Sequence, residues 1–128
     1  DSYKARAEAV RTAEIYRGCF AIAKCPSKGL ESPTVVGAQA ANELLNIAGV
    51  KASFVLTKYN GKIYISARSI DELNVQVMME KLGGGGHINM AGAQLAAFAS
   101  ATPVSLDPST FNTSANASFF VSAACFST

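Results

Sequence analysis

The segment with the most distinctive chemistry is a run of glycines that ends in the only histidine of the chain, formed by Gly83, Gly84, Gly85, Gly86 and His87. Each glycine loses about 0.5–1 kcal/mol more than alanine would on being ordered, so four in a row predict that the backbone makes a close approach there. Successive N–H groups can then converge on an anion, and no Cβ atom keeps a phosphate away. His87 would add a side-chain donor. The alternative is a flexible connector in which Gly83 ends a helix and His87 is solvated.

Two polar residues upstream are further candidates for an anion site. Arg68 stands at the end of a predicted strand, and a guanidinium can hold a phosphate through two parallel hydrogen bonds. Asn74 lies on the predicted helix between Arg68 and the glycines, where its amide either faces a ligand or belongs to a polar helix face. The alternative for Arg68 is a solvated surface side chain.

Periodicity and turn signals predict the first elements of the fold. Residues 3–17 have helical spacing of apolar positions with Lys and Arg between them, which indicates an amphipathic helix. Residues 19–24 predict a first strand. Ser32 and Pro33 are typical of a helix N-terminus, and the apolar stripe that follows predicts a second helix ending before Gly49.

A hairpin is predicted next. Residues 50–58 and 62–68 have strand character, and the dipeptide Asn60-Gly61 between them is a strong turn signal. Because side chains alternate along a strand, Tyr64, Ser66 and Arg68 should project from the face opposite Ile63, Ile65 and Ala67.

The last predicted elements surround the glycines. Ser69 and Glu72 match a capping box, so a helix is predicted from there to about Leu82. Residues 88–95 predict a short turn and a further strand. The fold class is therefore α/β, a mixed sheet with flanking helices in the order α-β-α-β-β-α, followed by the glycine loop and one more strand.

Composition limits the function classes. The 128 residues suit one domain, and 49% hydrophobic against 16% charged residues excludes disorder, yet no apolar run approaches the roughly 18 residues of a membrane span. The net charge of +2 is too small for a broad duplex-binding surface. The odd count of three cysteines lacks zinc-ligand spacing, and no signal core is present, so we expect a soluble chain on the cytoplasmic side.

Metal chemistry is not expected in this chain. One histidine and three widely separated aspartates do not supply the clustered ligands of a two-metal site, so we predict no catalytic residue, metal or cofactor here. The character changes after Leu95: residues 96–128 contain only Asp107 and Cys125 as ionisable side chains and show no sustained period. We therefore expect a domain over residues 1–95 and an atypical, divergent or non-native segment over 96–128, with a strand possible at 119–126.

Several motifs together resemble the DHH-associated domain, the C-terminal lobe of DHH-superfamily phosphodiesterases. They are Ile-Ser-Ala-Arg-Ser at 65–69, Asn-Val-Gln at 74–76, the four glycines with His87, and Ala-Gly-Ala at 91–93. Residues 38–46 and 50–55 are similar to the membrane-anchored cyclic-di-AMP phosphodiesterases that carry PAS, degenerate GGDEF and DHH modules. The segment after residue 95 departs from the family, whose members continue into a charged strand and a closing amphipathic helix.

The resemblance implies a division of labour. An N-terminal DHH lobe of the same polypeptide would bind two manganese ions, and this lobe would hold the substrate, a cyclic dinucleotide or short oligonucleotide. The glycine loop and His87 would hold a substrate phosphate, and Arg68 would contact phosphate or nucleotide. The parent protein would be anchored in the bacterial membrane, and a homodimer is left open.

Two other functions remain open at this point. A lobe of a nanoRNase or RecJ-like exonuclease would bind longer substrates, which favour basic and aromatic residues along a groove, and the charge of +2 leans against it. In a non-enzymatic interaction module the glycines would be a linker, and no nucleotide would bind.

Overall fold

A computed structural model describes residues 2–16, 19–71 and 73–96 of the chain. Within these ranges it contains three helices and six strands. Their bounds are α1 Ser2–Arg11, β1 Glu14–Tyr16, β2 Phe20–Cys25, α2 Pro33–Leu44, β3 Ala52–Tyr59, β4 Lys62–Ser69, α3 Val75–Lys81, β5 Gly85–His87 and β6 Met90–Ala96. The predicted α/β class with a mixed sheet is confirmed. The predictions for the segment 96–128, including the strand at 119–126, lie outside the described residues apart from Ala96.

All six strands form one sheet in the order β1-β2-β3-β4-β6-β5. β2 and β3 are parallel and are joined through α2, and the other neighbouring pairs are antiparallel. The predicted hairpin between β3 and β4 is confirmed. Asn60 and Gly61 have φ angles of 52° and 75°, the two positive values that a type I′ turn needs.

The two faces of the sheet pack against different helices. On the face that we call the α2 face, α1 and α2 bury mainly alanine and valine side chains together with Leu44. On the opposite face, the α3 face, Val75 and Met79 of α3 pack on Phe54 and Ile65. The predicted alternation along β4 is confirmed, because Ile63, Ile65 and Ala67 are buried in the α3-face core while Tyr64, Ser66 and Arg68 are only half-buried.

The α2 face is covered by helices over only part of the sheet. α2 packs against β2, β3 and β4, whereas α3 packs against β4, β5 and β6 on the other side. α2 lies close to β3 for two reasons. The Ser53 hydroxyl donates a hydrogen bond to the Ala41 carbonyl at 2.6 Å. Gly37 has no Cβ, and a Cβ there would collide with the Thr57 hydroxyl. In the described part of the chain, β6 and β5 are therefore largely open on the α2 face.

Two predicted helices are shorter than expected. The prediction of a helix over 3–17 is wrong after residue 11, because residues Glu14–Tyr16 pair with β2 as strand β1. Tertiary pairing overrides the local helical period there. α2 ends at Leu44, and the chain turns through Gly49, whose φ is 89°, before β3.

The capping-box prediction is also wrong. Ser69 is the last residue of β4, where it pairs with Ala52, and its hydroxyl donates to the Leu73 carbonyl at 2.6 Å. α3 begins at Val75, and Asn74 is its N-cap. No helix in the described ranges has the length and hydrophobicity needed to cross a membrane.

Candidate functional site

The strand register places Arg68 and His87 in one row across the sheet. Arg68 pairs with Met90 of β6, and Met90 pairs with His87 of β5. Directly paired residues project from the same face, and neighbouring strands lie about 4.8 Å apart, so the Cα atoms of the two candidates are roughly 10 Å apart. This Arg68–His87 row lies on the open part of the α2 face.

The guanidinium of Arg68 is held in place but has no carboxylate partner within the described ranges. Its Nε donates to Asn42 Oδ1 of α2 at 3.2 Å, and one terminal nitrogen donates to the Ala67 carbonyl at 2.9 Å. Partial burial lowers the pKa of Arg68 from its usual range, although an arginine remains charged at neutral pH. The structure thus orients a charged fork whose remaining N–H groups can bind an anion.

His87 is exposed beside the turn that joins β5 to β6, and this turn is anchored to the end of β4. The Asn89 side-chain amide donates to the Ser69 hydroxyl at 2.9 Å and to the Asp71 carbonyl at 3.1 Å. In return the Ser69 N–H donates to the Asn89 carbonyl at 3.1 Å. These bonds fix the end of the hairpin next to Arg68.

The first two glycines end α3. The Gly83 N–H donates to the Glu80 carbonyl at 3.0 Å, the Gly84 N–H donates to the Met79 carbonyl at 2.8 Å, and Gly83 has a φ of 87°. This is a Schellman motif, so the predicted helix-ending role of Gly83 is confirmed. Because these two N–H groups are already bonded, an anion would have to use the backbone beyond them.

Close approach to β6 explains Gly84 and Gly86. A Cβ at Gly84 would collide with the Gly92 carbonyl oxygen, and one at Gly86 would lie 2.5 Å from the Met90 carbonyl oxygen. Gly85 differs, since it has no positive φ and a Cβ there would meet no atom within 4 Å. The fold thus requires three of the four glycines and leaves the fourth unexplained.

Two more rows continue the site along the sheet. Gly85 pairs with Gly92, which pairs with Ser66, so the second row is nearly flat. The third row is the pair of Tyr64 and Gln94. Together with the N-terminal turn of α2 these rows border a groove of about 520 Å³, lined by Thr34, Tyr64, Ile65, Ser66, Gly83, Gly84, Gly92, Ala93 and Gln94.

Asn74 is not brought into this arrangement. Its side-chain oxygen accepts the Val77 N–H at 3.2 Å as the N-cap of α3, a helix that packs on the other face of the sheet. The sequence reasoning missed Asn42, Asn89 and Gln94. Only the register of Gln94 opposite Tyr64 could have been sought from the sequence, by extending the hairpin pairing to the next strand.

The described residues do not fit a manganese site. Within residues 2–16, 19–71 and 73–96, no group of three or more His, Cys, Asp or Glu side chains is placed to hold a metal ion. Cys25 is buried, and this burial raises the pKa of its thiol, although a hydrogen bond with Thr57 opposes the shift. We assign no metal-dependent step to this chain.

The six-stranded mixed sheet with helices on both faces defines an α/β lobe of known type. Residues 19–104 match the family model of the DHHA1 domain, and the chain belongs to this family. It is 47% identical over 95 residues to the cyclic-di-AMP phosphodiesterase PdeA of Listeria monocytogenes, covering 73% of this chain and 14% of that protein. It is 45% identical over 95 residues to the cyclic-di-AMP phosphodiesterase GdpP of Geobacillus thermodenitrificans, with the same coverage of 73% and 14%.

The chain therefore spans about one seventh of the length of these relatives. Among solved structures, an exopolyphosphatase-related protein from Bacteroides fragilis superimposes with a TM-score of 0.66 at 18% identity, covering 96% of this chain and 34% of that one. At this identity the likeness shows the fold alone. It agrees with the mixed sheet described above.

Proposed function

We propose that this chain is the substrate-binding lobe of a phosphodiesterase acting on cyclic-di-AMP or its linear dinucleotide, and that catalysis belongs to a DHH lobe outside the chain. The observation that carries the proposal is the Arg68–His87 row: an oriented guanidinium without a carboxylate partner in the described ranges and an exposed imidazole, on the open α2 face. Homology to cyclic-di-AMP phosphodiesterases supports the choice of ligand.

Each group has a defined task in this proposal. Arg68 binds two oxygens of a phosphate through parallel N–H donors, a geometry that an ammonium cannot reproduce. His87 donates an N–H from the other side of Met90. Gly85 leaves room for the phosphate to contact the edge strand, whose outer N–H groups have no strand partner among the described residues. The lobe thereby holds a phosphate of the substrate, while the groups that hydrolyse the phosphodiester belong to the DHH lobe.

The partners follow from the same division of labour. The lobe would close on the DHH lobe of the same polypeptide, which is where two manganese ions are expected. The parent protein would be anchored in the bacterial membrane with this lobe on the cytoplasmic side. A second copy of the chain is a further possible partner in this proposal.

Nuclear magnetic resonance can test the binding role directly, because His87 is the only histidine and its ring signals need no assignment by mutation. Linear adenosine dinucleotide is titrated into the wild-type chain, into Arg68→Ala and into Arg11→Ala, a control that removes an arginine on exposed α1. We expect saturable shifts of the His87 signals in the wild type and the control and at least about tenfold weaker binding in Arg68→Ala. Unperturbed His87 signals in the wild type would contradict the proposal and favour an interaction module.

A further inference from the structure

The third row of the open face contains groups suited to a nucleobase rather than to a phosphate. Tyr64 and Gln94 are paired across β4 and β6, and both line the groove together with Thr34 of α2. Tyr64 lies four positions before Arg68 along β4, a distance of roughly 13 Å. That distance is comparable with the length of a nucleotide, and the flat row of Ser66 and Gly92 lies between.

The two side chains offer different interactions. The Tyr64 ring is half-buried and is held against the Tyr59 ring, with centroids 6.3 Å apart at an interplanar angle of 48°. An aromatic ring fixed in this way can stack on any base, since every base has a π-face. The Gln94 side chain is exposed, so its amide is free to read the edge of a base that stacks nearby.

On the Hoogsteen edge of a purine, a glutamine amide distinguishes adenine from guanine. It presents one donor and one acceptor side by side, which match the amino group and the adjacent N7 of adenine. On the same edge guanine presents two acceptors, which are read by an arginine, and the two donors of its Watson–Crick edge are read by a carboxylate. The described residues that line the groove include neither of these.

From this placement we infer that Tyr64 and Gln94 form a base subsite that selects adenine over guanine, with Tyr64 stacking on the base and Gln94 reading its Hoogsteen edge. The inference rests on the proposed function, because it requires a phosphate held at the Arg68–His87 row. It adds the base selectivity of the lobe and assigns it to one side chain.

A comparison of the affinities for two linear dinucleotides tests the subsite. Affinities of the whole chain for 5′-phosphorylated adenosine and guanosine dinucleotides are measured by calorimetry, while the His87 ring signals report whether the phosphate reaches its row. We expect the wild type to prefer the adenosine dinucleotide about fivefold or more. Gln94→Glu should reverse the preference, because two acceptors match the two donors of guanine. Gln94→Met should remove the preference at similar length, and both variants should fold because the side chain is exposed.

Tyr64 variants separate stacking from reading. Tyr64→Ala should weaken the binding of both dinucleotides by a similar factor of about five or more, and Tyr64→Phe should keep the wild-type affinities. If both dinucleotides shift the His87 signals but bind the wild type with equal affinity, or if Gln94→Glu leaves the preference unchanged, the subsite is refuted and phosphate binding stands. If neither dinucleotide perturbs His87, the proposed function fails and the subsite fails with it.

Discussion

Replacing Gly85 by alanine adds one methyl group to the open α2 face of the sheet. The methyl group would meet no atom of the chain within 4 Å, and the residue has no positive φ. The free energy of unfolding should therefore change by less than about 1 kcal/mol, with a slight gain because alanine restricts the unfolded chain. A ligand that reaches the outer edge of β5 across Gly85 would instead be displaced. Losing one charge-assisted hydrogen bond, worth about 1.5 kcal/mol, weakens binding roughly tenfold.

Gly84→Ala is the matched control for this experiment. The same methyl group one residue earlier would collide with the Gly92 carbonyl oxygen and lie 2.7 Å from the Ala93 Cα. Forced repacking of this kind costs about 1–3 kcal/mol, which lowers the Tm of a domain of this size by roughly 4–24 °C. Thermal melts and calorimetric titration with linear adenosine dinucleotide are run on both variants and the wild type. If Gly85→Ala keeps both the wild-type Tm and the wild-type affinity, the ligand does not contact this backbone and the phosphate-binding role of Gly85 is wrong.

Further outcomes are expected. In the parent enzyme, Arg68→Ala and His87→Ala should each lower kcat/KM about tenfold or more. Arg68→Lys should restore only part of the kcat/KM lost in Arg68→Ala, because an ammonium cannot form the two parallel hydrogen bonds. Wild-type kinetics in both alanine variants would place the site elsewhere. Asn89→Ala removes the two side-chain hydrogen bonds that anchor the turn to the end of β4. The Tm of this variant should fall by roughly 4–8 °C per kcal/mol of stability lost, and its His87 signals should respond less to ligand. An unchanged ligand titration would assign Asn89 to stability alone. Assays of the purified chain with manganese and cyclic-di-AMP should detect no product, and turnover that survives removal of contaminating nucleases would contradict the division of labour.

Local signals were sufficient for the centre of the fold. The Asn60-Gly61 turn fixes the β3–β4 hairpin because both positions need positive φ, and Pro33 begins α2 because its missing N–H has no role there. From this hairpin, alternation along β4 places Arg68 on the face opposite the buried Ile65. These features depend on residues close together in the sequence.

The rest depends on partners that are distant along the chain. Residues Glu14–Tyr16 form a strand instead of continuing the helix because they pair with β2. Ser69 remains in β4 because it pairs with Ala52. The segment Gly85–His87 is a strand rather than a loop because β6 is beside it. The orientation of Arg68 by Asn42 depends on how α2 packs on the sheet. The sequence named Arg68 and His87 as candidates, but only the register of three strands places them in one row.

The two-residue turn at Ile88 and Asn89 has a further consequence for the family motif. Side chains alternate along β5, so one residue inserted between His87 and Met90 would shift the pairing and turn the imidazole toward the α3 face. Every residue of the glycine-histidine motif would still be present, yet His87 and Arg68 would lie on opposite sides of the sheet. The spacing from the histidine to the next strand is therefore as much a part of the motif as the glycines. A homologue in which one extra turn residue shifts the pairing would keep the letters of the motif and lose the Arg68–His87 row.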